Sequence, residues 1–494
     1  MMKIAFPLFP AAMVVDTAAG QAPPPRDDHH WIGTETVRSR SGDFGFVGGF
    51  PTRETVTRVN ELLRFNRATE VYLQNVSAVS MYKFRKGLAD FGVKASNQVA
   101  LWAELMDAGT LLLTANSDTV YTITFLDLKQ DGPTVVELPP KMLGLYNDMW
   151  MRYIADGGVA GPDKGEGGRF LFVPPGYQGP LPADGYFRFD SPTYGIWMLM
   201  RAVDPDPAAA AERSRRIKVY PLARAAEPPA MEFVDASGKY VDTIHGDDIS
   251  FFEELDELVQ QEPAGAIDSL RRFYLAAIGI EKGKPFAPDA KSRALLTEAA
   301  RTAAATARVV AYGGTDPDAI VYPDRHWQWA FVGGSYRFDS QGYENIDRRA
   351  GFAYAATGNT PAMASKVVGA GSQYMWAARD AAGEFLDGGK SYRLHVPPNP
   401  PVKDFWSVTV YDPLSRSMLQ NGQKSPTVSK YTNPEQNADG SVDIYFGPSA
   451  PAGKERNWIR TLPDRGWFPI LRFYGPLQPF FDKTWQPEDI VETR

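Results

Sequence analysis

The sequence predicts a mainly β fold with helical segments, of the α+β class, in which two β-sandwich or jelly-roll regions are joined by a helical insert. β-branched and aromatic runs lie between glycine and proline clusters before about residue 205 and again after about residue 313. Apolar residues at helical spacing fill the stretch between these two regions. The length of 494 residues also suggests more than one domain of ordinary size.

The chain begins with a stretch that resembles a signal peptide over residues 1–22. It has a basic residue, Lys3, an apolar run over residues 4–15 and small residues up to Ala22. Pro7 and Pro10 interrupt the apolar run, so two locations stay open: periplasmic or secreted, and otherwise cytoplasmic. Residues 23–50 are rich in proline and glycine and predict an extended lead-in, which makes 1–48 a segment of its own.

The first domain is predicted over residues 49–205. Apolar positions recur at helical spacing from Pro51 to about Asp107 and predict two or three helices. Short β-branched and aromatic runs then predict strands over 110–114, 119–125, 134–138, 170–173 and 194–201.

The helical insert is predicted over residues 206–312, with amphipathic stripes at 251–259, 267–278 and 290–310. The second β domain is predicted over residues 313–494. Strand-like runs between Trp327 and Trp485 are separated by turn signals such as Asp387-Gly388-Gly389. This spacing favours a sandwich or jelly roll over a parallel sheet.

Composition excludes several classes of function. The formal net charge of -7 and the pI near 5.5 make nucleic acid a poor partner. The absence of cysteine excludes thiolate chemistry, and the five histidines lack the spacing of a helical zinc site. No stretch is long and apolar enough to predict a membrane span, and no nucleotide-binding fingerprint occurs.

Two dense motif clusters carry a family resemblance. The first comprises Asn116-Ser117-Asp118-Thr119-Val120-Tyr121, then Phe125-Leu126-Asp127-Leu128, the strand over 168–176 and Ile196-Trp197-Met198-Leu199-Met200-Arg201. It resembles the bacterial family called domain of unknown function 1254. The second comprises Phe405-Trp406-Ser407-Val408-Thr409-Val410-Tyr411-Asp412, then Asn457-Trp458 and Leu471-Arg472-Phe473-Tyr474-Gly475-Pro476. It is similar to domain of unknown function 1214. The resemblance implies two jelly rolls decorated by helices and a homo-oligomer, as a trimer or other closed ring, but no particular reaction.

The residues of the first cluster suggest a catalytic site. In an extended strand Asn116 and Asp118 would project to one side, where they could bind Ca²⁺ or Mg²⁺, with Tyr121 as a nearby proton donor. Asp118 and Tyr121 are therefore the candidate catalytic residues. Paired carboxylates would support glycoside hydrolysis, and the possible partners of Asp118 are Asp127, Asp148 and Asp156. The competing interpretation is that Asn116 and Asp118 shape a turn between two strands.

Aromatic and arginine residues supply candidates for substrate binding, which are Asn116, Trp150, Trp197, Arg201, Trp406, Tyr411, Arg472 and Tyr474. Arg472 and Tyr474 share one face of a strand, where an arginine among aromatic rings could hold a carboxylate or phosphate or could be structural. Strand alternation places Trp406 with Val408 and Val410, which favours burial of that tryptophan in a core.

The functional hypothesis is a hydrolase of a sugar-like or ester-like small molecule, working without a cofactor or with a divalent cation. Its pocket is expected near the N-terminal jelly roll, between the jelly rolls and the helical insert. The competing hypothesis is a non-catalytic, oligomeric envelope protein with a structural or ligand-binding role.

Overall fold

The computed structural model describes residues 34–314, 316–340 and 342–493. The predicted signal peptide lies outside these residues. The chain forms two compact units, and the division falls after Leu63.

The first unit contains a small antiparallel sheet and the start of a long helix. The sheet comprises β1 (Thr34–Ser39), β2 (Gly42–Val47) and β3 (Phe50–Pro51), and α1 (Arg53–Asp90) follows. An extended lead-in was the prediction for residues 23–48. The side chains of β1 are exposed throughout, so the strand lacks the alternation of apolar and polar residues by which a half-buried strand is predicted.

The second unit begins within α1 and continues into the N-terminal sandwich. Its strands are β4 (Gln98–Leu101), β5 (Thr110–Leu111), β6 (Tyr121–Asp127), β7 (Thr134–Leu138), β8 (Met142–Asp148), β9 (Tyr153–Gly158), β10 (Gly168–Val173), β11 (Phe187–Asp190), β12 (Gly195–Ala202), β13 (Lys218–Pro221), β14 (Glu232–Asp235) and β15 (Val241–Asp242). The larger sheet has the order β14-β4-β6-β12-β8-β9 and the smaller one β11-β10-β7-β13. Short helices α2 (Leu128–Asp131) and α3 (Pro207–Ser214) flank them.

Three helices follow the N-terminal sandwich, as the apolar stripes predicted. They are α4 (Ile249–Gln261), α5 (Ser269–Ala277) and α6 (Ala290–Tyr312). Each begins at an aspartate, Asp248, Asp268 or Asp289, whose carboxylate accepts a hydrogen bond from a backbone N–H of the first turn. The remaining helices are α7 (Ile346–Ala355), α8 (Pro361–Ala364) and α9 (Gln478–Phe481).

The C-terminal sandwich is built in the same way. Its strands are β16 (Gln328–Trp329), β19 (Ser372–Trp376), β20 (Ser391–Val396), β21 (Val402–Tyr411), β22 (Thr427–Ser429), β23 (Val442–Gly447), β24 (Trp458–Arg460), β25 (Phe468–Pro476) and β26 (Val491–Thr493), and a separate hairpin comprises β17 (Asp339–Ser340) and β18 (Tyr343–Glu344). The larger sheet has the order β16-β19-β25-β21-β22 and the smaller one β24-β23-β20-β26.

Each pair of sheets encloses an apolar core. In the N-terminal sandwich Met198 and Met200 of the larger sheet pack in one cluster with Phe170 and Phe172 of the smaller one. In the C-terminal sandwich Val408 and Phe473 share a cluster with Leu394, Ile444 and Phe446. The opposite faces of the two larger sheets join a third cluster with α1, α4, α6 and α7, so the helices cover the sheets from outside. The predicted mixed α+β fold class is therefore confirmed.

Some local predictions differ from the structure. The two or three helices expected before Asp107 are the single helix α1, which continues to Asp90 without an internal proline. Val99 and Leu101, assigned to a helix, lie in β4, because that segment pairs with β6 and β14 and the sheet overrides its helical spacing. The predicted insert also contains β13, β14 and β15. The domain boundaries at 49, 206 and 313 stay predictions.

Candidate functional site

A cavity of about 110 Å³ lies between the larger sheets of the two sandwiches, and we call it the inter-sandwich cavity. Both sheets contribute to its wall, together with residues of the 112–116 loop, the 356–360 loop and the start of α8. Most of the wall is apolar and includes Leu143, Leu145, Trp197, Leu199, Phe331, Phe352, Trp376 and Ile470. Its polar groups include Asn116, Tyr121, Asp156, Arg201, Ser372, Tyr374 and Arg472.

Strand β12 places one of the two arginines in this wall. Its alternation sends Met198 and Met200 into the sandwich core, and Leu199 and Arg201 to the cavity. Arg201 pairs with Tyr121 of β6 on one side and with Leu143 of β8 on the other. These three side chains therefore form one row across the sheet.

Strand β25 places the other arginine by the same alternation. Phe473 enters the C-terminal core, whereas Arg472 faces the cavity. Strand β19 lies alongside, so that Arg472 pairs with Tyr374 and Tyr474 pairs with Ser372. The two arginines thus approach the cavity from sheets that belong to different sandwiches.

Both arginines contact neutral groups. The Arg201 Nη2 donates to the Ser372 hydroxyl at 3.2 Å, and its guanidinium carbon lies 5.0 Å from the centre of the Tyr474 ring. The Arg472 Nη2 donates to the Thr114 carbonyl at 2.7 Å. Within the part of the chain that the structure describes, the Arg472 Nη1 is buried without a hydrogen-bond partner, and neither arginine forms a salt bridge with a carboxylate.

The loop before β6 links the two sheets through Asn116. Its side-chain oxygen accepts from the backbone N–H of Asp118 at 3.0 Å, which closes a turn. Its amide nitrogen donates to the Tyr121 hydroxyl at 2.6 Å and to the Tyr474 hydroxyl at 3.1 Å. The turn interpretation of this motif is the one that the hydrogen bonds support, since Asn116 and Asp118 are not in an extended strand.

Electrostatics make this end of the cavity positive and rich in donors. Burial alone would lower the pKa of Arg201 and Arg472, but the electrostatic interactions with neighbouring tyrosines raise both above the usual value. Burial raises the pKa of Tyr374 and Tyr474. At neutral pH the arginines are therefore charged and these two tyrosines carry their protons.

Asp156 is an acidic group in the same wall. It lies on β9 opposite Leu145, is 5 % exposed, and accepts a hydrogen bond from the Thr360 hydroxyl. Burial raises its pKa to about 6, against the opposing effect of hydrogen bonds from Thr360 and Tyr153. Asp156 was predicted only as one possible partner of Asp118, because its register opposite Leu145 is not visible in sequence.

The structure brings together six of the predicted site residues. Five line the inter-sandwich cavity, namely Asn116, Tyr121, Trp197, Arg201 and Arg472, and Tyr474 contacts Asn116 and Arg201 at its edge. Asp118 is 3 % exposed in the adjoining turn. Asp156, one of the acids proposed as a partner of Asp118, lines the cavity. The other two do not line it: Asp127 caps α2, and Asp148 accepts hydrogen bonds from the backbone N–H groups of Trp150 and Arg152 in a turn.

Three other predicted substrate-binding residues lie elsewhere. Trp150 donates to Asn75 at 3.0 Å and borders a separate cavity of about 730 Å³. Trp406 packs against the C-terminal core, as its alternation with Val408 indicated. Tyr411 is fully buried and donates to the Ala115 carbonyl at 2.5 Å, behind the loop that borders the inter-sandwich cavity.

Wall residues on β19 and in the 331–363 region were not among the predicted site residues. Tyr374 and Trp376 alternate with Met375, which enters the C-terminal core. That alternation is readable in sequence, but the partner sheet across the cavity is not. The described residues contain no group of three or more histidine, aspartate or glutamate side chains that could hold a metal ion. The divalent cation therefore stays a prediction.

The fold is that of an α+β protein with two β-sandwiches and a cavity between them. Residues 96–221 match the family model described as protein of unknown function DUF1254, and residues 371–478 match the one described as protein of unknown function DUF1214. The chain is a tandem DUF1254/DUF1214 protein, as the motif clusters predicted.

Two bacterial proteins of solved structure match this chain at low sequence identity. The VPA0106 protein of Vibrio parahaemolyticus is 18% identical, with a TM-score of 0.51 over 87% of this chain and 100% of that chain. An uncharacterised protein of Burkholderia cenocepacia is 13% identical, with a TM-score of 0.41 over 88% of this chain and 96% of its own. The first likeness shows the fold alone. No curated protein matches the sequence. Among the described residues, no helix is both long and apolar enough to cross a bilayer.

Proposed function

We propose that this protein binds a small organic molecule that carries one carboxylate, and that the inter-sandwich cavity is its site. The observation that carries the proposal is the presence of Arg201 and Arg472 on facing sheets, both without a carboxylate partner in the described part of the chain. A charged guanidinium in a largely apolar wall is unfavourable unless an anion compensates it. A bound carboxylate would supply that anion.

The hydrogen-bonding groups near the arginines favour an acceptor as the ligand. The Tyr121 and Tyr474 hydroxyls both accept from the Asn116 amide, and within the described residues neither donates to a protein atom. Each therefore keeps a proton for an external acceptor. A planar carboxylate matches this arrangement, because its two oxygens can accept from a guanidinium and from hydroxyl groups together.

The remainder of the wall favours a compact apolar body. The volume of the inter-sandwich cavity, about 110 Å³, is close to that of an engineered apolar cavity that binds benzene, roughly 150 Å³. The rings of Trp197, Trp376, Phe331 and Phe352 contribute flat apolar surface. We therefore expect a ligand about the size of one aromatic ring or a short aliphatic chain.

The proposal is tested by comparing benzoate with benzamide, which has nearly the same shape and no charge. Isothermal titration calorimetry should show benzoate binding at least about tenfold more tightly, the range of a hydrogen bond to a charged group. Arg472→Met and Arg201→Met should each abolish the preference. Arg393→Met is the matched control, because Arg393 lies on β20 with its side chain 41% exposed. Equal binding of the two probes would contradict the proposal.

Hydrolysis of an ester-like molecule is a second candidate, favoured by the position of Tyr121. Its hydroxyl lies in the cavity wall with a proton to donate, as a general acid requires. The test is turnover of phenyl acetate by the purified protein. Tyr121→Phe should lower the rate about a hundredfold or more while benzoate affinity changes only a few-fold. Turnover that survives this substitution would exclude the role. The homo-oligomer and the periplasmic location stay predictions.

A further inference from the structure

We infer that the ligand of the inter-sandwich cavity is a hydroxy acid, whose hydroxyl group binds Asp156 at the end opposite the carboxylate. The inference rests on the proposed carboxylate site and adds the recognition of a second functional group. It follows from the positions of Asp156 and the two arginines, the free acceptor capacity at Asp156, and the charge of the wall.

Strand register separates the two polar ends of the cavity. Asp156 pairs with Leu145, and Leu145 pairs with Leu199 on β12, so Asp156 lies two strands away from β12. Arg201 is two residues beyond Leu199 on that strand. With strands about 4.8 Å apart and about 3.4 Å between residues, the Cα atoms of Arg201 and Asp156 are roughly 12 Å apart. Side chains stand roughly perpendicular to a sheet, so the polar ends of Arg201 and Asp156 are separated by a similar distance, which one ring with a polar group at each end would span.

The wall between the two ends is apolar. Leu143, Leu145 and Leu199 lie on the N-terminal sheet between Arg201 and Asp156, and Trp376 and Ile470 contribute from the C-terminal sheet. The hydrocarbon part of a ligand would contact these apolar residues and exclude water from them. The wall is therefore polar at both ends and apolar in the middle, which matches a molecule with two functional groups.

The Asp156 end can accept a hydrogen bond. A carboxylate has about four lone-pair positions, and hydrogen bonds from Thr360 and Tyr153 occupy two of those of Asp156. The hydroxyl of Thr357, a cavity-lining residue three positions before Thr360, is buried without a partner among the described residues. A ligand hydroxyl can donate to Asp156 and also accept from Thr357, so one group would satisfy both.

The charge of the wall favours a hydroxyl over an ammonium group. The lining contains two arginines and one aspartate, which gives a net charge of +1 when Asp156 is ionised. A hydroxy acid carries a single negative charge and would neutralise the wall. A zwitterionic amino acid would leave the positive charge uncompensated, at an energetic cost in an apolar surrounding.

Matched probes test the inference in the full-length protein. The affinities to compare by calorimetry are those of benzoate, para-hydroxybenzoate and para-methoxybenzoate, and, as an aliphatic pair, hexanoate and omega-hydroxyhexanoate. In at least one pair the hydroxyl should strengthen binding about tenfold or more, and the methoxy group should not, because it has no proton to donate. The probe comparison needs no substitution, so it does not depend on a variant that folds.

Asp156→Leu should remove the gain from the hydroxyl, so that each hydroxy acid binds no more tightly than its parent acid. Lys129→Leu, at an exposed position of α2, is the control and should retain the gain. If the parent acids bind and the hydroxyl adds nothing, the inference is wrong and the carboxylate site stands. If no acid of either pair binds, both fail. If omega-aminohexanoate binds more tightly than omega-hydroxyhexanoate, the ligand is an amino acid and the inference is wrong.

Discussion

The interiors of the two sandwiches and the space between them are built from the same strands but differ in chemistry. On β25, Phe473 enters a core of apolar side chains, whereas its neighbour Arg472 faces the inter-sandwich cavity. On β12, Met200 and Arg201 show the same contrast. The interiors therefore stabilise the fold, and the outward faces of the larger sheets are free to carry polar groups.

The two faces of the cavity also differ from each other. The N-terminal sheet contributes aliphatic residues together with Arg201 and Asp156, while the C-terminal sheet contributes Tyr374, Arg472 and Ser372. Neither sheet alone supplies both arginines. The proposed site therefore requires both sandwiches, which explains why a tandem chain rather than a single domain would carry it.

The largest expected effect compares the two faces of β25. Phe473 is 0% exposed, and Phe473→Ala should lower the free energy of unfolding by about 3–5 kcal/mol, because it leaves a cavity in the C-terminal core. Arg472→Met should change it by less than about 1 kcal/mol, since it removes an uncompensated charge along with one hydrogen bond. Urea unfolding measures both. Equal losses would show that Arg472 is a structural residue.

The next effect concerns the acid in the cavity wall. The pKa of Asp156 is raised from 3.8 to about 6 by burial, so between these values the folded state binds more protons than the unfolded state. The contribution of Asp156 to the free energy of unfolding therefore falls as the pH rises from 3.8 to about 6, and it stays lower at higher pH. Asp156→Asn should therefore stabilise the protein at about pH 8 by up to roughly 3 kcal/mol and have little effect near pH 4. A variant that is less stable at both pH values would contradict this.

A smaller effect is expected at the link between the sheets. Asn116→Ala removes the hydrogen bonds to Tyr121 and Tyr474 and should cost about 1–3 kcal/mol of unfolding free energy. Asn437→Ala is the control, since its amide bonds Ser441 and Asp443 in a more exposed region. We expect the control to lose less than about 1 kcal/mol. If Asn437→Ala lost as much unfolding free energy as Asn116→Ala, the hydrogen bonds of Asn116 would be no more important to stability than those of an exposed asparagine.

The smallest effect is at a single hydroxyl. Tyr474→Phe removes one acceptor for the Asn116 amide and one donor to the cavity, and keeps the ring that lies 5.0 Å from Arg201. The substitution should lower the free energy of unfolding by about 0.5–1.5 kcal/mol and weaken benzoate binding a few-fold. Binding as weak as in Arg472→Met would mean that the hydroxyl, rather than the charge, dominates recognition.

Much of the fold could be predicted because strands and helices leave local patterns. The strand over 134–138 and the three helices after the N-terminal sandwich follow directly from side-chain type and spacing. Val99 and Leu101 were misassigned because their conformation depends on sheet partners distant in sequence. The strands from Thr34 were missed because exposed strands bury no face and so show no periodicity.

The candidate site was only partly predictable for a related reason. Residue type pointed to Asn116, Tyr121, Arg201, Arg472 and Tyr474, and the structure brings these residues together. The same reasoning selected Trp150 and Trp406, because an aromatic ring in a core has the same sequence signature as one in a binding site. Asp156 owes its position to register across three strands, which no local motif encodes.

The hydrogen bond from Asn116 to Tyr474 joins residues 358 positions apart, and so does the one from Arg472 to Thr114. Contacts between such distant parts of a chain cost more loop-closure entropy than local contacts do, and we expect them to form late in folding. We therefore expect the cavity to be completed only when β25 docks against the N-terminal sandwich. A molecule bound there would leave the folding rate nearly unchanged and instead prolong the lifetime of the folded state.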